Sequence, residues 1–272
     1  MQNFSSSPRE MLASLWRNKS LIQHLVRREV VGRYKGSMLG IFWSLVNPIC
    51  MLAVYTFVFS VVFKARWNSG SESHSEFALV LFAGLLVFNL FSECITRAPG
   101  LILGNVNYVK KVVFPLEILP WVIMGGALFH FVISLSVWIA AYLFLIGAPH
   151  LTVLAMPFIM IPIILFVMGF TWAIASLGVY LRDVGQLVGI LVTLLMFLSP
   201  IFFPASALPP KLQKLMLFNP LAAPIEMVRD VIYWGVLPNF DKWALATALG
   251  LSVALLGFSF FQKMRKGFAD VL

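Results

Sequence analysis

Apolar residues along this chain gather into six long runs, at roughly 41–63, 77–96, 116–146, 151–180, 186–203 and 243–262, with charged residues held at the joints. Each run matches the length of a helix that crosses the hydrocarbon core of a bilayer, which takes about 20 residues. The third and fourth exceed that length and are predicted to tilt or to project beyond the core. Pro157 and Pro162 are predicted to kink the fourth, because each removes a backbone donor from the helical ladder. The pattern predicts an all-α integral membrane protein of six transmembrane helices.

Composition narrows the class further. Of the 272 residues, 60% are hydrophobic and only 11% are charged, against about 25% charged in an average soluble domain. A water-exposed surface cannot be built from this set, which excludes a soluble enzyme, a nucleic-acid-binding protein and a disordered tail. The net charge of +9 lies at the edges of the apolar runs, where a polytopic protein keeps its Lys and Arg. Fourteen of these residues fall on the side that carries both termini: Arg9, Arg17, Lys19, Arg27, Arg28, Arg33, Lys35, Arg97, Lys110, Lys111, Arg182, Lys263, Arg265 and Lys266. Six fall on the other: Lys64, Arg66, Lys211, Lys214, Arg229 and Lys242. This asymmetry predicts cytoplasmic N- and C-termini.

Residues 215–237 could pass for a seventh span, but Pro220, Pro224, Glu226, Arg229 and Asp230 suit a lipid-facing helix poorly. Residues 204–242 are predicted instead to form an outer-side excursion of short helices packed on protein. The first forty residues lack an uninterrupted apolar core, so a signal peptide is not expected. Ser7-Pro8-Arg9-Glu10 has the pattern of a capping box with proline in the first helical position. Leu12, Leu15, Trp16, Ile22, Leu25 and Val26 then recur at helical spacing, which predicts an amphipathic helix along the cytoplasmic membrane face. A soluble stub packed on the protein is the alternative.

The missing chemistry is informative. No G-x-x-x-x-G-K-[ST] loop is present to cradle phosphates, and His24, His74, His130 and His150 lack metal-site spacing. Cys50 and Cys94 lie inside apolar runs and are expected to behave as small hydrophobes. Ser259, in Gly257-Phe258-Ser259-Phe260, has no histidine base after it in the chain, which argues against an intramembrane serine protease. Glu93 and Glu117 sit near span ends, where pairing with Arg97, Lys110 or Lys111 is expected. His130 is expected to pack at a helix interface rather than to relay protons. Mid-membrane carboxylates of the kind an ion-coupled carrier uses are lacking, so the driving force is expected to come from another subunit.

Aromatic residues are abundant, with 25 Phe, 8 Trp and 6 Tyr. Trp43, Trp67, Trp121, Trp234 and Trp243 fall near span ends, as an interfacial belt would have them. Tyr55, Phe57 and Phe59 in the first span, Phe82, Phe88 and Phe91 in the second, and Phe197, Phe202 and Phe203 in the fifth lie deeper. Such rings offer weak, repeated contacts to the C–H faces of a moving sugar chain, although ordinary packing and lipid contact explain a single Phe equally well.

Arg27 to Pro48, which reads RREVVGRYKGSMLGIFWSLVNP, continues into MLAVYTFVFSVVFKARW. Asn105 to Pro115 reads NVNYVKKVVFP, Leu198 to Pro204 reads LSPIFFP, and Phe218 to Asp230 reads FNPLAAPIEMVRD. In this order the segments resemble the permease subunits of ABC-2 type transporters that export bacterial polysaccharides, and most of all the O-antigen lipopolysaccharide exporters. Capsule and teichoic-acid exporters are similar. A small-molecule ABC-2 exporter and a secondary carrier are the alternatives from other classes.

The resemblance implies a type V exporter fold, with residues 1–40 as interface helix and approach segment, 41–262 as the transmembrane domain and 263–272 as a cytoplasmic tail. It implies a homodimer in the inner membrane, joined by two copies of an ABC ATPase that binds MgATP. This chain would then be a non-enzymatic permease without a cofactor of its own. Asn105, Tyr108, Lys110 and Lys111, with a second contact at Arg182 and Asp183, would couple it to the ATPase. Short re-entrant gate helices in 204–242 would narrow the exit, with Pro204, Asn219, Pro220, Glu226 and Arg229 among their residues. The aromatic residues named above would line the polysaccharide pathway. Arg28, Arg33, Tyr34 and Lys35 stand where an undecaprenyl-diphosphate-linked substrate meets the cytoplasmic leaflet, and Arg offers phosphate a bidentate fork.

Overall fold

The computed structural model describes residues 7–63, 67, 74–110, 114–216 and 218–272, and these are helices and their connections, with no strand among them. Lys64, Arg66 and Lys111 lie outside the described residues.

The capping pattern at the start forms as the residues dictate. Helix α1 (Pro8–Arg17) opens with proline in its first turn. The Ser7 hydroxyl accepts the Glu10 amide at 3.2 Å, and Glu10 pairs along the helix with Arg17 at 2.5 Å. The leader is two helices, however, and not one. The Asn18 side-chain amide donates to the Ser14 carbonyl at 2.8 Å, closing α1 before α2 (Lys19–Tyr34) begins. The expected apolar stripe also divides at that point. Ile22 and Leu25 of α2 are buried, whereas Leu12 and Trp16 of α1 remain 62% and 74% exposed. Helix α1 docks through Met11 and the polar Ser14 instead, which leaves its apolar face turned outward as an interfacial helix requires.

A short turn leads into α3 (Trp43–Tyr55), whose last turns widen into a π-helix over Thr56–Val62. Helix α4 (His74–Arg97) follows, then the small α5 (Val106–Val109) and the long α6 (Leu119–Leu145). The fourth apolar run is broken rather than bent. A 3-10 turn at Leu151–Ala155, α7 (Met156–Ile159) and α8 (Ile161–Tyr180) divide it, with Pro157 and Pro162 each in the first turn of a new helix. Proline is tolerated there because the first amides of a helix have no partner in any case. The fifth run ends early: α9 (Val184–Leu198) stops at Ser199, since Pro200 disfavours helical geometry at the residue before it. At 15 residues α9 is about 22 Å long. The other five runs form helices long and apolar enough to span a bilayer. Short helices α10 (Pro210–Met216) and α11 (Ala222–Arg229) precede a π-turn over Asp230–Trp234, then α12 (Phe240–Met264) and α13 (Phe268–Val271) complete the chain.

Helix α4 forms the axis of the bundle: 83% of its apolar window is buried, against 11–39% for the other four long runs. Leu79, Leu81, Val87 and Cys94 are wholly enclosed there. Two buried indoles tie neighbours to this core. Trp138 donates to the Leu79 carbonyl at 2.9 Å, and Trp172 donates to the Glu117 carbonyl at 3.0 Å, so neither leaves an unsatisfied N–H in an apolar setting.

The tightest helix pair is α8 with α12. A Cβ added at Gly169 would fall inside contact distance of the Val253 carbonyl, and one at Gly257 inside that of the Gly169 backbone. At Gly250 the added atom would lie 2.6 Å from the Pro162 carbonyl oxygen. In lipid, where burying apolar surface gains little, small residues at such positions allow the close packing that holds helices together.

Candidate functional site

Three polar constellations stand out from the apolar bundle. The first lies at the end that carries both termini, where α2, α4 and α6 meet. Glu93 of α4 pairs with Arg33 of α2 at 2.6 Å, with His130 of α6 at 2.9 Å and with Arg97 at 3.6 Å. Arg97 also pairs with Glu29. The Tyr34 hydroxyl lies 3.0 Å from His130 Nε2. The ring has three polar neighbours on its two nitrogens: Nδ1 faces Glu93 and, at 3.2 Å, Arg33 Nη1, while Nε2 faces the Tyr34 hydroxyl. The expected Glu93–Arg97 pair is present, and Arg33 and His130 join it. His130 is therefore more than a packed interface residue.

Glu117 departs from expectation. Among the described residues its ion-pair partner is Arg265 of the C-terminal segment, at 2.5 Å, and not Arg97 or Lys110; Lys111 lies outside the described residues. The Ser14 hydroxyl donates to its other oxygen at 3.0 Å, and Arg265 also donates to the Phe114 carbonyl at 2.9 Å. One buried carboxylate thus joins α1, the approach to α6 and the C-terminal segment. Breaking a buried pair from one side costs about 3–5 kcal/mol. Glu117→Ala should accordingly lower the melting temperature of the purified protein by several degrees, whereas Arg17→Ala, at an exposed pair, should leave it unchanged.

Next to this hub lies the segment around α5. Tyr108 stacks face to face on Phe114, with ring centroids 4.1 Å apart, and its hydroxyl accepts a hydrogen bond from Arg28 of α2 at 2.8 Å. Asn105 donates to the Leu101 carbonyl at 2.9 Å. Lys110 is exposed, as are Arg182 and Asp183 between α8 and α9. The four residues grouped as a diphosphate contact are separated by the structure. Arg28 turns towards Tyr108, Arg33 and Tyr34 turn towards α4 and α6, and Lys35 caps α2 in the open.

The third constellation is at the opposite end, where the fifth run breaks. Arg229, only 4% exposed, closes α11 and reaches inward. Its guanidinium donates to the carbonyls of Val80 at 2.9 Å and Ile201 at 2.7 Å, and also to that of Pro200. It lies 4.4 Å from the centre of the Trp67 ring. Burial pushes its pKa down to about 9, against the raising influence of Glu226 and Asp230, so it remains cationic at neutral pH. Burial also raises the pKa of the Glu226 and Asp230 carboxyls. Asn219 joins the same corner, donating to the Leu198 carbonyl and the Ser199 hydroxyl, both at 3.0 Å. Pro220 follows it, Pro204 precedes a 3-10 turn, and Glu226 faces outward.

The aromatic residues divide into two populations. Phe59 contacts Tyr55, Phe77 and Phe202, with centroids 6.5, 5.4 and 6.0 Å away, and Phe202 stacks on Phe197 at 5.8 Å. These rings form a seam from the first span to the end of the fifth. Phe82, Phe88 and Phe91 instead sit in the core of α4, each no more than 5% exposed. Phe57 is 60% exposed in the π-helix that continues α3, and Phe203 lines an apolar groove of about 530 Å³ beside α9 and α10.

A family model described as ABC-2 type transporter matches residues 20–233, from α2 through the π-turn after α11. The chain belongs to this family. Among the relatives of this ABC-2 type transporter is the O-antigen export system permease protein RfbA of Klebsiella pneumoniae, 28% identical over 256 residues, which span 93% of this chain and 95% of the relative. RfbA of Myxococcus xanthus is 27% identical, with 96% and 98% covered. The capsule polysaccharide export inner-membrane protein CtrC of Neisseria meningitidis serogroup B is 26% identical, with 93% and 94% covered. The matched segment contains the Glu93 cluster, the α5 segment and Arg229 alike.

Proposed function

We propose that this chain is the permease of an ATP-driven exporter that moves lipid-linked polysaccharide, most specifically O-antigen, across the bacterial inner membrane. Similarity along nearly its full length to permeases named for O-antigen export carries the reading. Capsule export is the second reading, supported by relatives such as the polysialic acid transport protein KpsM of Escherichia coli, 24% identical over 247 residues, or 87% of this chain and 92% of the relative.

The permease works as a homodimer with both termini in the cytoplasm, and two ATPase subunits bind MgATP on its behalf. Exposed Lys110, Arg182 and Asp183 meet those subunits. The Tyr108–Phe114 stack and the Arg28 hydrogen bond pass their movement to α2. The diphosphate of the substrate meets Lys35, in the open at the end of α2, because Glu93 already neutralises Arg33 and Arg28 is turned to Tyr108. The aromatic seam from Tyr55 to Phe197 contacts the sugar chain weakly and repeatedly, and α10 and α11 gate the exit. No bond in the cargo is made or broken by this chain; its contribution is gating.

Affinity purification of the tagged chain from native membranes tests this. A stoichiometric ATPase should co-purify, and expression in a strain without its own permease should restore surface polysaccharide. A chain that stays alone after crosslinking and restores nothing would overturn the assignment. Tyr108→Ala removes a stack worth about 1 kcal/mol and the Arg28 bond with it. ATPase binding should persist while export per ATP hydrolysed falls several-fold.

A further inference from the structure

Above the Glu93 cluster, between α3, α4 and α6, lies a cavity of about 410 Å³, within the 300–1,000 Å³ range usual for small-molecule sites. Its lining is graded along the helices. Arg33, Glu93 and His130 stand at the end nearest α2, Asn47 and Asn89 in the middle, and Tyr55 and Phe82 at the far end. Asn47 and Tyr55 are two turns apart on one face of α3, and Phe82, Asn89 and Glu93 share a stripe of α4.

Carboxamides inside spanning helices are costly unless something satisfies them. Asn47 and Asn89 are both exposed on this recess, and neither side-chain amide is hydrogen-bonded to another of the described residues. Both point into the same space. An acyl chain would leave them unsatisfied, together with the polar atoms of the Glu93 cluster. A phosphate is disfavoured as well, because the Glu93 carboxylate sits between Arg33 and His130 at 2.6 and 2.9 Å and cancels the attraction they offer. A neutral, hydroxyl-rich ligand fits all three tiers: carboxylate and amides pair with its hydroxyls, and the half-buried Tyr55 ring accepts its C–H faces.

We propose that this open recess between α3, α4 and α6 is a saccharide subsite in which Asn47 and Asn89 hydrogen-bond a sugar unit of the cargo. The inference rests on the polysaccharide-export reading and adds where a sugar is held.

The test uses the complete transporter in inverted membrane vesicles from cells whose polysaccharide carries a tritiated sugar. Met51, which lines the cavity, is replaced by p-benzoylphenylalanine, and Val132, 58% exposed on α6, serves as the control position. Ultraviolet light should attach label to the Met51 probe several-fold above the Val132 probe. Asn47→Leu with Asn89→Leu should cut that capture about ten-fold, roughly the 1.4 kcal/mol expected for lost amide contacts. Asn47→Gln with Asn89→Gln, which keeps the amides, should retain most of it. Capture no higher than at Val132, a phospholipid adduct in place of sugar, or capture undiminished in the leucine variant would each overturn the subsite while wild-type export stands. If the wild-type chain restores no surface polysaccharide, the export reading falls, and the subsite falls with it.

Discussion

Gly257→Val should leave almost no folded protein in detergent extracts, whereas Leu256→Val, at a position 72% exposed on the same helix, should be neutral. The reason lies in what faces Gly257. A side chain there meets the Gly169 backbone of α8, and the reciprocal position, Gly169, meets the Val253 carbonyl of α12. When the obstacle is a flexible side-chain tip, a neighbour can swing away. Here backbone opposes backbone on both sides, so the helices must separate along their length. Overpacking in a core ordinarily costs about 1–3 kcal/mol, and this case belongs at or above the top of that range. A total stability of about 5–15 kcal/mol leaves little reserve. The separation would also disturb Trp172, whose ring lies 5.2 Å from that of Phe258 in this seam. Fluorescence-detected size-exclusion chromatography after graded heating reads the effect, and a Gly257→Val protein with a wild-type melting point would sink the argument. Gly257→Ala should fall between the two.

What could be read in advance follows from the range over which each signal acts. The Ser7–Glu10 cap is local, set by residues within one turn of each other, and the structure forms it where the sequence puts it; Pro157 and Pro162 mark the right places but start new helices where the pattern predicts a kink in one helix. The six apolar runs are equally legible, because bilayer thickness imposes a length that periodicity cannot hide. The division of the leader at Asn18 is not legible in the same way. Helical spacing of Leu15, Trp16 and Ile22 runs straight through it, and the side-chain hydrogen bond that stops α1 is visible only in three dimensions.

Long-range partners are the other loss. Glu117 and Arg265 are 148 positions apart, and nothing local favours Arg265 over the nearer Lys110. Phe82, Phe88 and Phe91 look like pathway residues because they lie deep in a span, yet the place of α4 at the centre of the bundle encloses all three. Asn47 and Asn89 give no signal for a simpler reason: a single amide in a long apolar run has no periodicity of its own. Their meaning comes from facing each other across one cavity.

Arg229→Met should abolish export and lower thermal stability strongly, although the sequence marks the residue only as too polar to face lipid and, by resemblance, as part of an exit gate. In the structure it is the joint between three pieces of chain: α4 through Val80, the break after α9 through Pro200 and Ile201, and α11 through its own backbone. The Pro200 and Ile201 carbonyls lie past the end of α9, so the guanidinium replaces the amides that a continuing helix would supply, while the Val80 carbonyl belongs to the unbroken α4. Methionine fills similar space but leaves the carbonyls buried without donors, at about 1–3 kcal/mol for each one left unsatisfied. It also removes the cation from the Trp67 face, worth about 2 kcal/mol when desolvated. Arg229→Lys should rescue poorly. One ammonium on a flexible stem cannot present the planar fork that reaches carbonyls on two sides of Gly84, where an added Cβ would lie 2.7 Å from the guanidinium. Asn219→Ala, at the exposed edge of the same corner, should cost less, about 1 kcal/mol for a partly buried hydrogen bond. Melting of the purified variants, read beside surface polysaccharide in cells, separates the outcomes. Loss of export with retained stability would make Arg229 a part of the gate alone, and retention of both would remove it from the account of the outer end. The expected joint loss follows from geometry, because the side chain that closes this corner is the same one that holds the bundle together beneath it.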